Sequence, residues 1–433
     1  MNMAVTSVSA GPRTIDPADD TAVPTADAVR PPASAHPPRP VLIASIMRPT
    51  GETGVRAHMR AVLSAVAVGR RDDADAWPSV SVVSPFAAPW RIGVLLGARA
   101  LIEPFFPSLA VRWYRTGHGW LLRSVLAKRL ADGAPCTLYA QCPVSAAAAL
   151  TARASPLQKV VMAVHFNVSQ ADEWAQSGRI PDHGQDFYAI RAFEARWLPQ
   201  VDALVFVSRF MRGVLLERLP MLASVPHAIV PNFVADPGEP TLVGAIGAVG
   251  AGPDEAFDAD LVSIGTLEPR KNQAAQLEII AAAHRVGSPL TLTIVGDGPD
   301  RAMLETRANA LGIADAVRFA GYVADAARLL ARHRALLHTA HIENLPIVPI
   351  EALAAGRPVL AVPTGGTSEL FDDSIEGLAL PADDPALAAE RIIELLADPA
   401  RVAAMGRAAR ARHAARHAPG RVARELIDFL EQA

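Results

Sequence analysis

Cysteine is scarce in this sequence of 433 residues, and neither sign of charge dominates. The two cysteines, Cys136 and Cys142, are too few for a disulfide framework, and they lack the second pair that a structural zinc site requires. We therefore expect two free thiols in a reducing compartment. The 41 basic and 44 acidic residues give a formal charge of −3, so nothing in the overall charge attracts nucleic acid.

Long apolar runs are also missing. No stretch reaches the roughly 18 to 20 apolar residues that a transmembrane helix needs, and the first residues lack the basic and apolar regions of a secretory signal. We therefore expect a cytoplasmic protein, either free or peripheral on the inner face of the plasma membrane.

The 51% of hydrophobic residues occur mostly in short runs. Residues 1–40, rich in Pro and Ala with few large apolar side chains, predict a disordered leader. Apolar runs then alternate with helical sequence over 41–238 and again over 260–433. Strands without a polar face, separated by helices, are typical of a parallel sheet covered on both sides. The sequence predicts an α/β fold of two Rossmann-like, doubly wound domains facing across a cleft, joined by a glycine-rich connection over 239–259.

Ten apolar runs predict the strands of these two domains. They cover residues 41–47, 79–83, 137–140, 159–164 and 203–207 in the first domain, and 261–264, 290–295, 317–319, 335–337 and 358–361 in the second. Ligands of such sheets bind at the carboxyl ends of the strands, so the cleft is the expected site.

Three familiar motifs are absent or incomplete. Residues 296–298 follow a strand as in a dinucleotide fingerprint, but Arg301 occupies the third glycine position. No phosphate-binding G-x-x-x-x-G-K-[ST] loop occurs. His338, His341 and Glu343 lack the helical spacing of a zinc protease. These features argue against an NAD enzyme, a P-loop nucleotidase and a metal hydrolase.

Two cations stand where a predicted strand ends and a helix begins. Arg270 and Lys271 follow Gly265 and Thr266 at the end of strand 261–264. Because a helix terminus offers free backbone N–H groups, this arrangement suits a diphosphate. The alternative is that both side chains are solvated surface charges.

Two carboxylates follow the predicted strand 335–337. Glu343 belongs to a loop, and Glu351 lies near the start of a helix. Carboxylates accept paired hydrogen bonds from vicinal hydroxyl groups, so this pair fits a sugar and a ribose. The alternative for Glu351 is a favourable charge at a helix N-terminus.

At these residues the sequence resembles the family 4 glycosyltransferases, which are retaining enzymes of the GT-B fold. The resemblance is firm over about 260–396 and looser over 41–232. The motifs that carry it occur in family order and spacing: V-G-D-G-P at 295–299, E-x7-E from Glu343 to Glu351, A-G-x-P-V at 355–359, and G-G-x-x-E from Gly365 and Gly366 to Glu369.

The resemblance implies a role for each motif residue. Glu351 would hold the ribose hydroxyls, Glu343 a hydroxyl of the donor sugar, and Lys271 the diphosphate. Thr266 stands where the family has an arginine, so Arg270 is the expected substitute.

The same resemblance implies donor-binding loops in both domains. Gly51 and Gly54 would approach the diphosphate from the first domain, and Gly296, Gly365 and Gly366 would bind the donor from the second. His165, at the end of strand 159–164, matches the family's histidine near the donor sugar. A lone histidine at a strand end is more often structural.

The implied activity is transfer of a hexose, with retention, from GDP-mannose or a UDP-sugar to a glycan or polyprenyl-linked acceptor in cell-surface or exopolysaccharide synthesis. The resemblance also implies that no metal or other cofactor is required, which is consistent with Arg270 and Lys271 stabilising the departing diphosphate. The alternatives are a nucleotide-sugar epimerase of the same fold and a non-catalytic nucleotide-sugar binder.

Residues 91–132 combine basic side chains with aliphatic and aromatic ones. The basic residues are Arg91, Arg99, Arg112, Arg115, Arg123, Lys128 and Arg129. This composition suits an anionic membrane surface, and it equally suits a core helix with one solvated face.

Overall fold

The computed structural model describes residues 38–48, 54–87, 89–235, 258–323 and 327–433. Residues 1–37 of the predicted leader and residues 239–257 of the predicted connection therefore lie outside the described residues. None of the helices in the described ranges is long and apolar enough to cross a membrane.

The first sheet has six parallel strands in the order β2-β1-β3-β4-β5-β6. They are β1 (Val41–Ala44), β2 (Val80–Val83), β3 (Cys136–Ala140), β4 (Gln158–Val164), β5 (Ala203–Phe206) and β6 (His227–Ile229). Every residue of β1, β3 and β5 is buried, as expected for strands covered by helices on both faces.

Seven helices accompany this sheet. They are α1 (Gly54–Asp72), α2 (Pro89–Ile102), α3 (Pro107–Arg129), α4 (Pro143–Ala152), α5 (Gln170–Gln176), α6 (Gln185–Trp197) and α7 (Arg209–Arg218). Their starts follow local chemistry: Ser169 caps α5, Ser208 caps α7, and the half-buried Cys142 thiol caps α4. α1 buries Met59 and Val62 on one face.

The second sheet is also parallel, in the order β12-β11-β10-β7-β8-β9. Its strands are β7 (Ala259–Ile264), β8 (Leu292–Val295), β9 (Val317–Gly321), β10 (His333–His338), β11 (Val359–Ala361) and β12 (Gly377–Ala379). The remaining helices are α8 (Gln273–Arg285), α9 (Arg301–Ala310), α10 (Ala327–Ala331), α11 (Ile347–Ala354), α12 (Pro385–Leu396), α13 (Pro399–Arg416) and α14 (Pro419–Gln432).

The predicted fold class, with two doubly wound Rossmann-like domains, is confirmed. All ten predicted strands form, within a few residues of their predicted bounds. β6 and β12 were not predicted, because each is an edge strand of only three residues and provides no long apolar run.

The last helix departs from the predicted domain assignment, which placed all of 260–433 in the second domain. The apolar stripe of α14, which includes Val422, Leu426 and Leu430, packs into the same buried cluster as β1 and α1. Thr137 of β3 also donates a hydrogen bond to the Leu430 carbonyl at 3.2 Å. The chain therefore returns to the first sheet after α13, and the apolar stripe of α14 covers one of its faces.

Candidate functional site

A cavity of about 1020 Å³ is lined by residues that follow the strands of both sheets. His165 directly follows β4, Gly265 follows β7 and Gly296 follows β8. Of the predicted site residues, the cavity is lined by Gly54, His165, Thr266, Arg270, Lys271, Gly296, Glu343 and Glu351. Gly51 lies outside the described residues. The structure thus brings most of the predicted residues of both domains to one cavity.

The two predicted cations share one carboxylate. They occupy a short helical turn after β7, and the Lys271 ammonium contacts Glu343 Oε1. Arg270 Nη1 lies 3.2 Å from the same oxygen, while its Nη2 donates to Glu268 at 2.8 Å. Both cations are therefore directed into the cavity wall, and they are not solvated surface charges.

Glu343 is buried and ionised. Burial alone would raise its pKa, but the charge of Lys271 and the His338 ring, 3.3 Å from Oε2, hold the pKa well below its usual value. Within the described ranges, no three His, Cys, Asp or Glu side chains come together closely enough to hold a metal ion. Glu343 is thus a fixed negative charge that lines the same cavity as Glu351, eight positions further along the sequence.

Gly296 allows two loops to pack backbone on backbone. Its φ is +133°, and a Cβ there would lie 2.0 Å from the Gly265 carbonyl oxygen. Since no side chain fits, the loops that follow β7 and β8 approach closely and form one edge of the cavity.

Gly365 and Gly366 lie behind the cavity wall and do not line it. Gly366 N–H donates to the Glu343 carbonyl at 2.8 Å, and a Cβ on Gly366 would lie 1.4 Å from the Asn344 carbonyl oxygen. Gly365 has a φ of +57°. These glycines therefore support the loop that carries Glu343.

His165 is held as a neutral imidazole. Its Nε2 lies 3.1 Å from Gln141 Oε1, and the Gln141 amide nitrogen donates to the Tyr139 carbonyl. Because Gln141 Oε1 can only accept, His165 Nε2 carries the proton and Nδ1 is an acceptor. Burial, with a contribution from His58, places the His165 pKa well below its usual value.

A second histidine, which the sequence motifs did not identify, packs against the first. The ring of His58 meets that of His165 edge-on, with centroids 4.7 Å apart. His58 Nδ1 lies 3.2 Å from Asn232 Oδ1, and Nε2 lies 3.0 Å from the Tyr139 hydroxyl. Asn232 in turn donates to the Leu345 carbonyl of the second domain. Burial lowers the His58 pKa to about 4, so the pair stays neutral.

The sequence motifs also missed the other residues that the first domain contributes. Arg60 on α1, Asn167 after β4 and Glu173 on α5 line the cavity. Their only local signal is proximity to His165 or to the glycine loop. The sequence does not show which of the adjacent carboxylates, Asp172 or Glu173, faces the cavity, because that depends on the orientation of α5.

The Glu343 loop is also bound to the first domain. Ser208 Oγ donates to Asn344 Oδ1 at 2.6 Å, and the Asn344 amide donates to the Val164 carbonyl at 3.0 Å. Asn344 is nearly fully buried. The contact places Glu343 opposite the end of β4, where His165 stands.

Comparison with known proteins agrees with this arrangement. Residues 256–412 match the family model described as Glycosyl transferases group 1. The chain is 30% identical over 244 residues to a Mycobacterium tuberculosis GDP-mannose-dependent alpha-(1-6)-phosphatidylinositol monomannoside mannosyltransferase, covering 53% of this chain and 61% of that relative. It is 34% identical over 182 residues to D-inositol 3-phosphate glycosyltransferase 2 of Catenulispora acidiphila, covering 39% and 41%. The chain thus spans about three fifths or less of the length of these relatives.

Solved structures resemble the whole described fold. Anabaena HepE in complex with UDP is 18% identical, with a TM-score of 0.62 over 91% of this chain and 100% of that chain. Sucrose-phosphate synthase from Thermosynechococcus elongatus is 17% identical, with a TM-score of 0.65 over 91% and 98%. The family-model match and the curated relatives confirm the resemblance to family 4 glycosyltransferases, and the solved structures confirm the fold. Residues 256–412 thus match the glycosyl transferases group 1 family model, within a chain of the GT-B fold.

Proposed function

We propose that this chain transfers a hexose from a nucleoside diphosphate sugar to a hydroxyl group of an acceptor, with retention of configuration. The observation that carries the proposal is the cavity in which Arg270, Lys271, Glu343 and Glu351 converge. A diphosphate needs fixed positive charge, and sugar and ribose hydroxyls need acceptors. One cavity supplies both.

The donor is proposed to lie along the second domain. Arg270, Lys271 and the backbone around Thr266 would bind the diphosphate, and Glu351 on α11 would accept from the ribose hydroxyls. The hexose would then reach Glu343 and His165. A neutral His165 suits this position because its Nδ1 can accept from a sugar hydroxyl without adding charge.

The proposed chemistry needs no metal ion or other cofactor. As the bond between the sugar and the phosphate breaks, negative charge develops on the phosphate oxygen. Two cations already fixed beside it stabilise that charge without reorganisation. The acceptor hydroxyl attacks from the same face, and its proton passes to the departing phosphate.

GDP-mannose is the donor that we propose to test first, with UDP-sugars second. Support for the first comes from the printed specificity of the mycobacterial relative, and support for the second from the UDP complex of HepE. For the acceptor we propose a cell-surface glycan or a polyprenyl-linked or other lipid-linked sugar.

We also propose that the end of α2 and the start of α3 contact an anionic membrane, so that the enzyme is peripheral. Leu101, Phe105 and Phe106 are 77%, 76% and 62% exposed there, an unusual concentration of large apolar side chains. Further along α3, Arg123 and Lys128 are exposed. Apolar side chains that insert, together with cations that attract, are what an interfacial helix requires.

Some of the predicted basic residues form ion pairs or hydrogen bonds within the fold. Arg99 pairs with Glu103 at 3.0 Å, and Arg112 lies 3.3 Å from Asp186. Arg115 donates to Gln170 at 2.6 Å. The side chain of Arg91 lies outside the described residues. The proposed lipid contact therefore depends on the exposed apolar residues and on the cations farther along α3.

The decisive experiment is a donor panel followed by turnover. Thermal shift with UDP, GDP, ADP and their sugars identifies the nucleotide, since a ligand at 100 times its Kd stabilises by about 2.7 kcal/mol. The preferred nucleotide sugar is then incubated with and without a sugar acceptor. Nucleotide release that depends on acceptor supports transfer. A changed sugar without acceptor would indicate an epimerase, and binding without turnover a non-catalytic binder.

A further inference from the structure

Acidic side chains on the cavity are distributed unequally between the domains. Within the described lining, the second domain contributes Glu268, Asp297, Glu343 and Glu351, whereas the first domain contributes only Glu173. The first-domain lining otherwise carries neutral or basic polar groups such as His165 and Asn167. Glu173 thus faces the donor site from the opposite wall.

The backbone around α5 fixes the direction of Glu173. Ser169 caps the helix by accepting from Ala171 N–H, and its hydroxyl donates to the buried Glu194 carboxylate at 2.7 Å. Glu173 Oε1 then accepts from Asn167 N–H at 3.2 Å. The carboxylate therefore folds back toward the end of β4, two residues beyond His165.

The neighbouring carboxylate, Asp172, contacts another helix and not the cavity. Asp172 accepts two hydrogen bonds from Arg191 of α6, both at 2.9 Å, and does not line the cavity. α5 therefore presents one acid to a structural ion pair and the next acid to the site. Asp172 is a matched control for Glu173.

The surroundings of Glu173 place its pKa near neutral pH. Burial is the largest influence and raises its pKa to about 7, while Asn167 N–H and the Arg270 guanidinium of the second domain act to lower it. Glu194 of α6 and Asp172 of its own helix act to raise it. No ion pair to Glu173 forms within the described part of the chain, so its second oxygen is free to accept from a ligand.

We propose that the ionised Glu173 carboxylate accepts a hydrogen bond from the attacking hydroxyl of the acceptor and directs its oxygen toward the anomeric carbon of the donor sugar. The inference rests on the proposed glycosyltransferase function. In the step, the O–H bond of the acceptor breaks and its oxygen bonds to the anomeric carbon, while the bond from that carbon to phosphate breaks. The proton passes to the departing phosphate, and Glu173 ends the step unchanged.

The main competing explanation is that Glu173 only balances the charge of Arg270. Arg270 belongs to the proposed diphosphate site, so a counter-ion role would make nucleotide affinity depend on Glu173. An acceptor-binding role makes transfer depend on it and leaves nucleotide affinity unchanged. The two explanations therefore differ in a measurement that does not require the natural acceptor.

The test compares wild type with Glu173→Gln, Glu173→Asp and the control Asp172→Asn. The probes are GDP and GDP-mannose, or the nucleotide selected by thermal shift, with methyl α-D-mannopyranoside as the acceptor. For Glu173→Gln we expect transfer kcat to fall by about 10- to 100-fold, because the hydroxyl is no longer oriented. The Kd for GDP should stay within twofold. Glu173→Asp keeps the charge and should retain part of the activity, and Asp172→Asn should match wild type.

The pH profile gives an independent readout. Wild-type transfer should fall as pH drops below about 7, because protonated Glu173 no longer accepts as a carboxylate, and Glu173→Gln should lose this limb. Undiminished transfer by a folded Glu173→Gln would overturn the inference alone, as would a changed GDP affinity that accounts for the whole loss. Failure of wild type to turn over any nucleotide sugar would overturn both the inference and the proposed function.

Discussion

Glu369 of the second domain accepts the backbone N–H of Phe210, in the first domain, at 2.7 Å. The other oxygen of the same carboxylate accepts from Arg209 N–H at 3.0 Å. These are the first two N–H groups of α7, and the third, that of Met211, donates to Ser208 Oγ. A helix N-terminus favours a carboxylate, so an acid from one domain completes the cap of a helix in the other.

Glu369→Ala should lower the free energy of unfolding by about 1 kcal/mol, the usual cost of losing a helix cap. The loss should also weaken nucleotide-sugar binding, because the cap lies beside the loop that carries Glu343. Denaturant unfolding and calorimetry measure the two effects. Glu390→Ala, at an exposed position of α12, is the control. Unchanged stability in Glu369→Ala would show that water replaces the cap fully.

Arg270→Ala and Lys271→Ala should each reduce turnover on the order of 10²-fold, because each removes a charge directed at the proposed diphosphate. The structure adds that both cations neutralise the buried Glu343, so each variant should also lose some stability. Lys159→Ala, at a lysine that pairs with Asp202 outside the cavity, is the control. Near-full activity in both cation variants would refute the phosphate assignment.

Much of this site could be predicted from sequence because its residues stand at the ends of apolar runs. A parallel sheet brings the carboxyl ends of its strands to one edge. Residues that directly follow a predicted strand, such as His165 and Gly265, are therefore expected at that edge. Glu343 and Glu351 add a spacing that, together with the glycine motifs, resembles one family. For these residues, local sequence determines position without knowledge of side-chain contacts.

What could not be predicted depends on contacts between distant segments. The His58 ring reaches His165 only through the packing of α1 on the sheet, and Glu369 meets Phe210 only when the domains face each other. The apolar stripe of α14 predicts that this helix covers a sheet, but nothing in the local sequence says which one. Such relationships are set by tertiary packing.

Glu351 and Glu343 should contribute to the binding of different parts of the donor. Glu351→Ala should weaken binding of the free nucleoside diphosphate, because it removes the proposed ribose acceptor. Glu343→Gln should mainly weaken the additional affinity that the sugar provides. The amide keeps the shape of the side chain and is preferred to alanine, since Glu343 is buried between two cations. Calorimetry with nucleotide and with nucleotide sugar separates the effects, and equal losses on both ligands would contradict the division.

Gly366→Ala should destabilise the protein by about 1–3 kcal/mol and lower activity. The new Cβ would lie 1.4 Å from the Asn344 carbonyl oxygen, so the loop that carries Glu343 must move. Gly213→Ala is the matched control because a Cβ on that exposed glycine of α7 meets nothing within 4 Å. That substitution should be neutral or stabilise the helix by about 0.5–1 kcal/mol. Melting temperature and turnover are the measurements, and equal behaviour of the two variants would show that the loop adapts.

The proposed membrane contact predicts sedimentation with anionic vesicles. Binding should weaken as salt rises, because salt screens the exposed cations of α3, each of which contributes roughly 1 kcal/mol near an anionic surface. The double substitution Phe105→Ser with Phe106→Ser should abolish most binding, since both rings are more than half exposed and would otherwise leave water. Changing Arg123, Lys128 and Arg129 to Gln should reduce binding mainly at low salt.

These variants should leave turnover of a soluble acceptor intact, because none of the changed residues lines the main cavity. Val286→Ser, at an apolar residue of the second domain that is 71% exposed, controls for a general loss of surface hydrophobicity. If wild type ignores anionic vesicles even at low salt, α2 and α3 are helices with a solvated face and the acceptor is soluble. If Val286→Ser weakens binding as strongly as the phenylalanine variant, adhesion is unspecific and the proposed face has no special role.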